Sequence, residues 1–205
     1  MSPTSTPVIE LAVYTVRSPD AFPTTQHQMH EALATLSGHR TGLRLRGMSH
    51  GLFADLIAWE SLEAAQQASN TAREDARFAP LMNEIIELKL YAHYRVGVDA
   101  SLLLAKLREA PLVEVAAYAV RDPEVHDEAQ AWLHEALRAT SGHRGGAPAR
   151  QVEDPVQFAD LVGWEHAEAH EHAGATLQQR EDLAAFFSGI GAMTVFELFS
   201  VLHQA

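Results

Sequence analysis

Along this chain, stretches with apolar side chains at every second position alternate with stretches where they recur every three or four. These are the spacings of a half-buried strand and of a helix packed by one face. Val8 to Arg17 reads as a first strand. Ser18-Pro19 follows, an N-cap residue with proline at the first helical position. It predicts a helix whose buried stripe runs through Gln26, Met29, His30 and Leu33 and which stops at Gly38. Leu43 to Met48 and Phe53 to Glu60 read as the next two strands, Leu62 to Asn83 as one long helix and Ile85 to Val96 as a last strand.

The pattern then recurs. Val8 to Arg17 lines up with Leu112 to Arg121, His30-Glu31-Ala32-Leu33 with His134-Glu135-Ala136-Leu137, and Ser37-Gly38-His39-Arg40 with Ser141-Gly142-His143-Arg144, at an offset of 104. The offset becomes 105 where Phe53-Ala54-Asp55-Leu56 and Trp59-Glu60 meet Phe158-Ala159-Asp160-Leu161 and Trp164-Glu165. It becomes 107 for Arg73-Glu74-Asp75 against Arg180-Glu181-Asp182, and 110 for Glu87 and His93 against Glu197 and His203. The expectation is an α+β protein of two tandem ferredoxin-like β-α-β-β-α-β repeats, residues 8–97 and 112–205, after a disordered leader at 1–7. Residues 98–111 read as a linker helix, apolar at Leu103, Leu104 and Leu107 and ended by Pro111. One such unit leaves a sheet face bare, and burying it against its twin predicts an intramolecular dimeric α/β barrel, a pseudo-dimer able to assemble into a further homodimer.

In the third strand of each repeat, alternation separates Phe53, Asp55, Ile57 and Trp59 from Ala54, Leu56 and Ala58, and Phe158, Asp160, Val162 and Trp164 from Ala159, Leu161 and Gly163. Small residues suit a face that helices approach closely, so the Phe/Asp/Trp face is expected to point into the barrel, with Glu10, Tyr14, Glu114 and Tyr118 of the first strands and Glu87, Tyr91, His93, Glu197 and His203 of the last. Buried carboxylates must find partners or water. Either Glu10 or Glu87 pairs with Arg46 and Glu114 or Glu197 with Arg150, or each half holds a wet cavity for a small-molecule ligand.

Composition narrows the classes. The 205 residues are 47% hydrophobic, enough for a packed core, and carry a net charge of −12, which argues against nucleic acid and anionic membranes as partners. The absence of cysteine removes disulfides, thiolate metal sites and thiol nucleophiles. No apolar run approaches the roughly 18 residues of a membrane span, and the N-terminal residues lack the pattern of a signal peptide, so a cytoplasmic location is expected.

Phe53-Ala54-Asp55-Leu56-Ile57-Ala58-Trp59-Glu60-Ser61, with Trp-Glu-Ser ahead of a helix, resembles the antibiotic biosynthesis monooxygenase superfamily of dimeric α/β barrels, and both repeats fit it along their length. The resemblance implies a small-molecule enzyme acting on an aromatic or enolisable substrate without metal, flavin or other cofactor. In the members that oxidise aromatic polyketides, the matching Trp and an Asn four residues before it line the cavity with a Tyr on the next helix. Here Trp59 and Trp164 match, Asp55 and Asp160 replace the Asn, and Ala65 and His170 stand in place of the Tyr. A buried aspartate can serve as general base toward a phenolic or α-carbonyl proton, or can be an anchored structural residue. The catalytic candidates are therefore Asp55, Asp160, His30 and His134; the substrate-binding candidates are Trp59, Trp164, Tyr14, Tyr118, Phe53, Phe158 and His170.

Among twelve histidines, His166-x-x-x-His170-x-His172 puts two on one helical face, which an exposed polar face explains without metal. His30 and His134 recur in both repeats, as core histidines bonded to a carboxylate or as catalytic groups. His39 and His143 are expected to orient the loop into the second strand. Three readings stay open: an enzyme with an open cavity, a non-catalytic binding or stress-associated barrel with a filled interior, and a heme-binding protein with an unpaired histidine beside a large apolar cleft.

Overall fold

A computed structural model describes residues 6–203, so most of the expected leader lies outside the described residues. The elements are β1 Val8–Val16, α1 Phe22–Leu33, β2 His39–Gly47, β3 Leu52–Trp59, α2 Leu62–Glu74, α3 Ala79–Glu84, β4 Ile85–Val96, α4 Ala100–Arg108, β5 Leu112–Val120, α5 Pro123–Arg138, β6 His143–Gln151, β7 Gln157–Trp164, α6 Ala167–Leu177, α7 Ala184–Gly189 and β8 Ile190–Val201. The strands pair antiparallel in the order β1-β3-β2-β8-β5-β7-β6-β4 and close into a barrel. Two short seams join the halves: Leu45 to Gly47 of β2 against Val201 to Phe199 of β8, and Tyr94 to Val96 of β4 against Gln151 to Ala149 of β6.

Register corrects the later offsets. β2 and β6 stand 104 residues apart, and every element pair from β3 and β7 to β4 and β8 starts at an offset of 105, so one extra residue in the β6–β7 turn accounts for the difference. Glu10 faces His93 across the β1–β4 ladder where Glu114 faces Leu198 across β5–β8, so His93 corresponds to Leu198 and not to His203. The Arg-Glu-Asp match at 107 is a coincidence of composition: the place of Asp75, which caps a short 3-10 turn, is taken by Arg180.

Two helix boundaries differ from expectation for local reasons. The helix expected from Leu62 to Asn83 breaks at Asp75, whose extended backbone ends α2 and whose carboxylate accepts from the Arg77 N–H at 2.9 Å, starting the 3-10 turn Ala76–Phe78. Ser18 does not cap α1. It closes a turn instead, its carbonyl accepting from the Phe22 N–H at 3.0 Å, and α1 begins at Phe22. In the second half Asp122 does cap α5, accepting from Glu124 and Val125, with Pro123 at the first position.

The two faces of the strands are the reverse of the expected assignment. Ala54, Leu56 and Ala58 of β3 and Ala159 and Leu161 of β7 belong to the apolar cluster inside the barrel, with Ile9, Leu11, Val113 and Val115. Ile57 and Trp59 pack instead with Met29, Leu33 and Phe78 of the helical layer, and Val162 and Trp164 likewise with Leu133 and Phe186. An eight-stranded barrel has an interior just wide enough for side chains to fill, so it takes the small residues. The larger aromatics and the polar groups lie between sheet and helices. α4, capped by Asp99, adds Leu103, Leu104 and Leu107 to the barrel interior. Arg108 fixes its far end on the Gly42 carbonyl at 2.6 Å. Among the described residues no helix is long and apolar enough to cross a membrane.

Candidate functional site

Because the helices stand off the sheet, each half encloses a cavity. The first, about 220 Å³, lies over β1 and β3 beneath α1, α2 and α3; its apolar wall includes Met29, Ile57, Trp59 and Phe78. The second, about 290 Å³, is walled by Leu133, Val162 and Trp164 at corresponding positions, and by Phe186 where the first has Leu81. Into these greasy spaces the strands project a few polar groups: Glu10, Tyr14 and Asp55 in the first cavity, Glu114, Tyr118 and Asp160 in the second.

At the floor of each cavity sits the same four-residue network. Asp55 is 3% exposed, so its carboxylate must be satisfied from within the protein. The Tyr14 hydroxyl donates to Oδ2 at 2.5 Å, Gln26 Nε2 donates to Oδ1 at 2.8 Å, and His30 Nε2 lies 2.6 Å from Oδ1. Gln26 also donates to the Ala54 carbonyl at 3.1 Å, tying α1 to β3. In the second half Tyr118, Gln130 and His134 hold Asp160 at 2.7, 2.8 and 2.8 Å. The phenols of Tyr14 and Tyr118 titrate well above the usual tyrosine range, first because burial penalises the phenolate and then because the neighbouring aspartate repels it. Each tyrosine therefore stays a neutral donor.

Hydrogen-bond capacity distinguishes the two carboxylate oxygens. A carboxylate oxygen offers about two acceptor sites. Oδ1 of Asp55 is filled by Gln26 and His30, whereas Oδ2, on a residue that lines the cavity, receives only Tyr14 among the described residues. His30 and His134 do not line the cavities; they brace the aspartates from behind. In sequence Gln26 reads only as a member of the buried stripe of α1, and Gln130, 104 residues later, is not singled out.

The halves differ around this network. Phe22 of the first half meets Tyr14 and Phe53 edge-on at 5.7 and 4.7 Å. Its counterpart His126 meets Phe158 at 5.0 Å and brings Nε2 to 3.2 Å from the Tyr118 hydroxyl. Burial lowers the pKa of His126, favouring neutral imidazole. Phe53 and Phe158 thus support the network and line neither cavity, and Arg46 and Arg150 lie over their rings at 5.9 and 5.3 Å.

The expected glutamate–arginine pairs do not form, since Arg46 reaches Asp20 and Arg150 reaches Asp127, both near the surface. Glu10 instead accepts from the Tyr91 hydroxyl at 3.1 Å and lies 3.5 Å from His93, which meets Glu153 at 2.5 Å. Glu114 accepts from Trp164 Nε1 at 3.1 Å and from His170 Nε2 at 3.0 Å. Its hydrogen bond to Glu114 leads the causes that raise the pKa of His170. His166 caps α6 through the Ala169 N–H, and among the described residues no three carboxylate or imidazole groups converge as metal ligands. His39 and His143, at the starts of β2 and β6, stand edge-on to Trp59 and Trp164; burial pushes His143 down to about 4.

No family model and no curated protein sequence matches the chain. Solved structures do. An anthrone oxidase-like protein superposes with a TM-score of 0.75 at 15% identity, covering 97% of this chain and 92% of its own. A candidate monooxygenase from Fusobacterium nucleatum gives 0.65 at 9% identity, with 98% and 94% covered. A chlorite dismutase variant from Candidatus Nitrospira defluvii gives 0.66 at 13% identity, with 98% and 93% covered. At these identities the likeness is one of fold.

Proposed function

We propose that the chain is a small-molecule enzyme of the cofactor-independent monooxygenase type, built from two copies of one unit, and that it oxidises an aromatic or enolisable substrate in the cavities beneath its helices. The observation that carries this reading is a buried aspartate lining an aromatic-walled cavity, with one oxygen held by a single donor, the neutral tyrosine hydroxyl. Asp55 or Asp160 takes the acidic proton of a phenol or of a methylene next to a carbonyl. Gln26 and His30, or Gln130 and His134, fix the carboxylate in position. Once that aspartate has taken the proton, the Tyr14 or Tyr118 hydroxyl, whose hydrogen the carboxylate had held, can turn to donate to the developing oxyanion. The resulting enolate is electron-rich enough to react with dioxygen. At a methylene carbon, one dioxygen replaces the two hydrogens by a carbonyl oxygen and leaves one water, a balance that needs no added reductant.

The fold likeness to an anthrone oxidase-like protein makes anthrone a suitable first probe. Oxygen uptake should fall by about 100-fold or more in the Asp55→Asn, Asp160→Asn double variant, the contribution typical of a positioned general base. A folded double variant that still consumes oxygen at the original rate refutes the mechanism.

A second reading, binding without turnover, is favoured by the same bonds, since two of the three donors on the carboxylate, Gln26 and His30, anchor α1 to β3. It predicts that the probe binds and no oxygen is consumed. The unpaired histidine that the heme reading expects lines neither cavity. The first cavity is lined by no histidine, and His170 in the second holds its Nε2 3.0 Å from Glu114.

A further inference from the structure

The two cavities share a floor and differ in what stands above it. Trp59 is fully buried, lines the first cavity, and its indole Nε1–H has no hydrogen-bond partner among the described residues. A buried donor left without a partner is costly, so an acceptor brought in by a ligand is favoured there. The corresponding N–H of Trp164 is spent on Glu114, which His170 also holds. Ala65 stands where His170 does and cannot draw a carboxylate toward the indole.

Glu10 corresponds to Glu114 and is drawn the other way. The Tyr91 hydroxyl and His93 engage it, and His93 is held in turn by Glu153, which comes from the β6–β7 turn of the opposite half. The second half has Phe196 and Leu198 at the register positions of Tyr91 and His93, so nothing there competes for Glu114. The mouths differ as well: Arg73 lines the first cavity, without an ion pair among the described residues, where Gln178 lines the second.

We infer that the chain has one oxyanion-receiving cavity rather than two: the first takes an aromatic ligand bearing an ionised oxygen at Trp59 Nε1, and Glu114 occupies that subsite in the second. The inference deepens the proposed function by assigning the ligand class and the competent half, and rests on that reading for the cavities being substrate sites. Glu114 is an internal occupant, a carboxylate where the ligand oxygen of the other half would sit. His93 and Glu153 act as positioning residues that keep Glu10 off Trp59.

The test is calorimetric titration with 2-hydroxy-1,4-naphthoquinone, an aromatic enolate at neutral pH that can no longer be dehydrogenated at a methylene. The wild type should bind one equivalent. Trp59→Phe should weaken binding at least 10-fold and Trp164→Phe should leave it unchanged. Glu114→Ala should reveal a second equivalent, a gain that a merely damaged fold cannot produce. Two equal equivalents in the wild type, no binding at all, or sensitivity to Trp164→Phe instead of Trp59→Phe would each overturn the inference. Should Trp59→Phe fail to fold, the Glu114→Ala stoichiometry decides alone. Asp55→Asn separates the two claims: loss of oxygen uptake with the naphthoquinone still bound leaves both standing, whereas uptake retained with one-site binding removes the general-base mechanism and keeps the asymmetry.

Discussion

Replacing each network aspartate by asparagine should cost stability, and should cost more in the first half than in the second. Asparagine keeps one acceptor oxygen. Placed at Oδ1, it continues to receive Gln26 and His30, but its amide nitrogen then faces the Tyr14 hydroxyl, which loses the acceptor it had at 2.5 Å. Phe22 lies beside that hydroxyl and can accept nothing. The loss is a buried, unsatisfied O–H, about 1–3 kcal/mol, plus the weakening of two charge-assisted bonds, so about 2–4 kcal/mol in all. In the second half the Tyr118 hydroxyl can turn to His126, whose Nε2 lies 3.2 Å away on a ring that burial keeps neutral. One new bond of about 1 kcal/mol offsets part of the loss, so Asp160→Asn should be milder than Asp55→Asn by about that amount. Urea unfolding followed by far-UV circular dichroism resolves such a gap, and the barrel cluster drawn from both halves should give a single transition. Adding His126→Phe to Asp160→Asn should erase the difference. Equal costs for the two single variants, or an unchanged gap after His126→Phe, would refute the reasoning.

Three further outcomes follow from the same geometry. Leu104→Ala empties a fully buried position inside the barrel and should cost about 2–5 kcal/mol, measured by the same urea titration. Burial opposes protonation of His93, but its bonds to Glu10 and Glu153 outweigh this and raise its pKa above the usual 6.5. A raised folded pKa gives stability that is full below the unfolded value and lost as pH rises through the folded one. Thermal melts should therefore show Glu153→Gln more destabilising at about pH 5.5 than at about pH 9, and a penalty that grows with pH would contradict the pairing. Gly146→Ala should destabilise the second half, because an added Cβ would come within 2.5 Å of the Leu161 carbonyl oxygen with no flexible group to yield; expression and melting temperature report it.

Strands and polar residues were legible because period-two alternation survives in β3 and β7, and because Asp55, Trp59, Tyr14 and His30 recur at the repeat offset in Asp160, Trp164, Tyr118 and His134. Which face they occupy was not. Alanine suits both a close helix contact and a narrow barrel interior, and alternation alone cannot distinguish them. The role of Gln26 was hidden by its place in an apolar stripe; only three dimensions show its amide reaching both the Ala54 carbonyl and Asp55. The late offsets failed because matching Arg-Glu-Asp by identity ignored the ladder, in which Glu10 and Glu114 select His93 and Leu198 as partners. The partners of Glu10 were beyond sequence for a different reason, since Glu153 reaches His93 from the other half of the chain.

The helix α4 that runs from one half into the other has a genetic consequence. In a homodimer of identical subunits every substitution enters both symmetry-related positions at once, so a change that improves one site is imposed on its twin. Here each half is written separately in a single chain, and Phe22 can face Tyr14 while His126 faces Tyr118, or Arg73 stand where Gln178 does, without compromise between them. By making the connection covalent, α4 frees the two sites to drift apart under different selection.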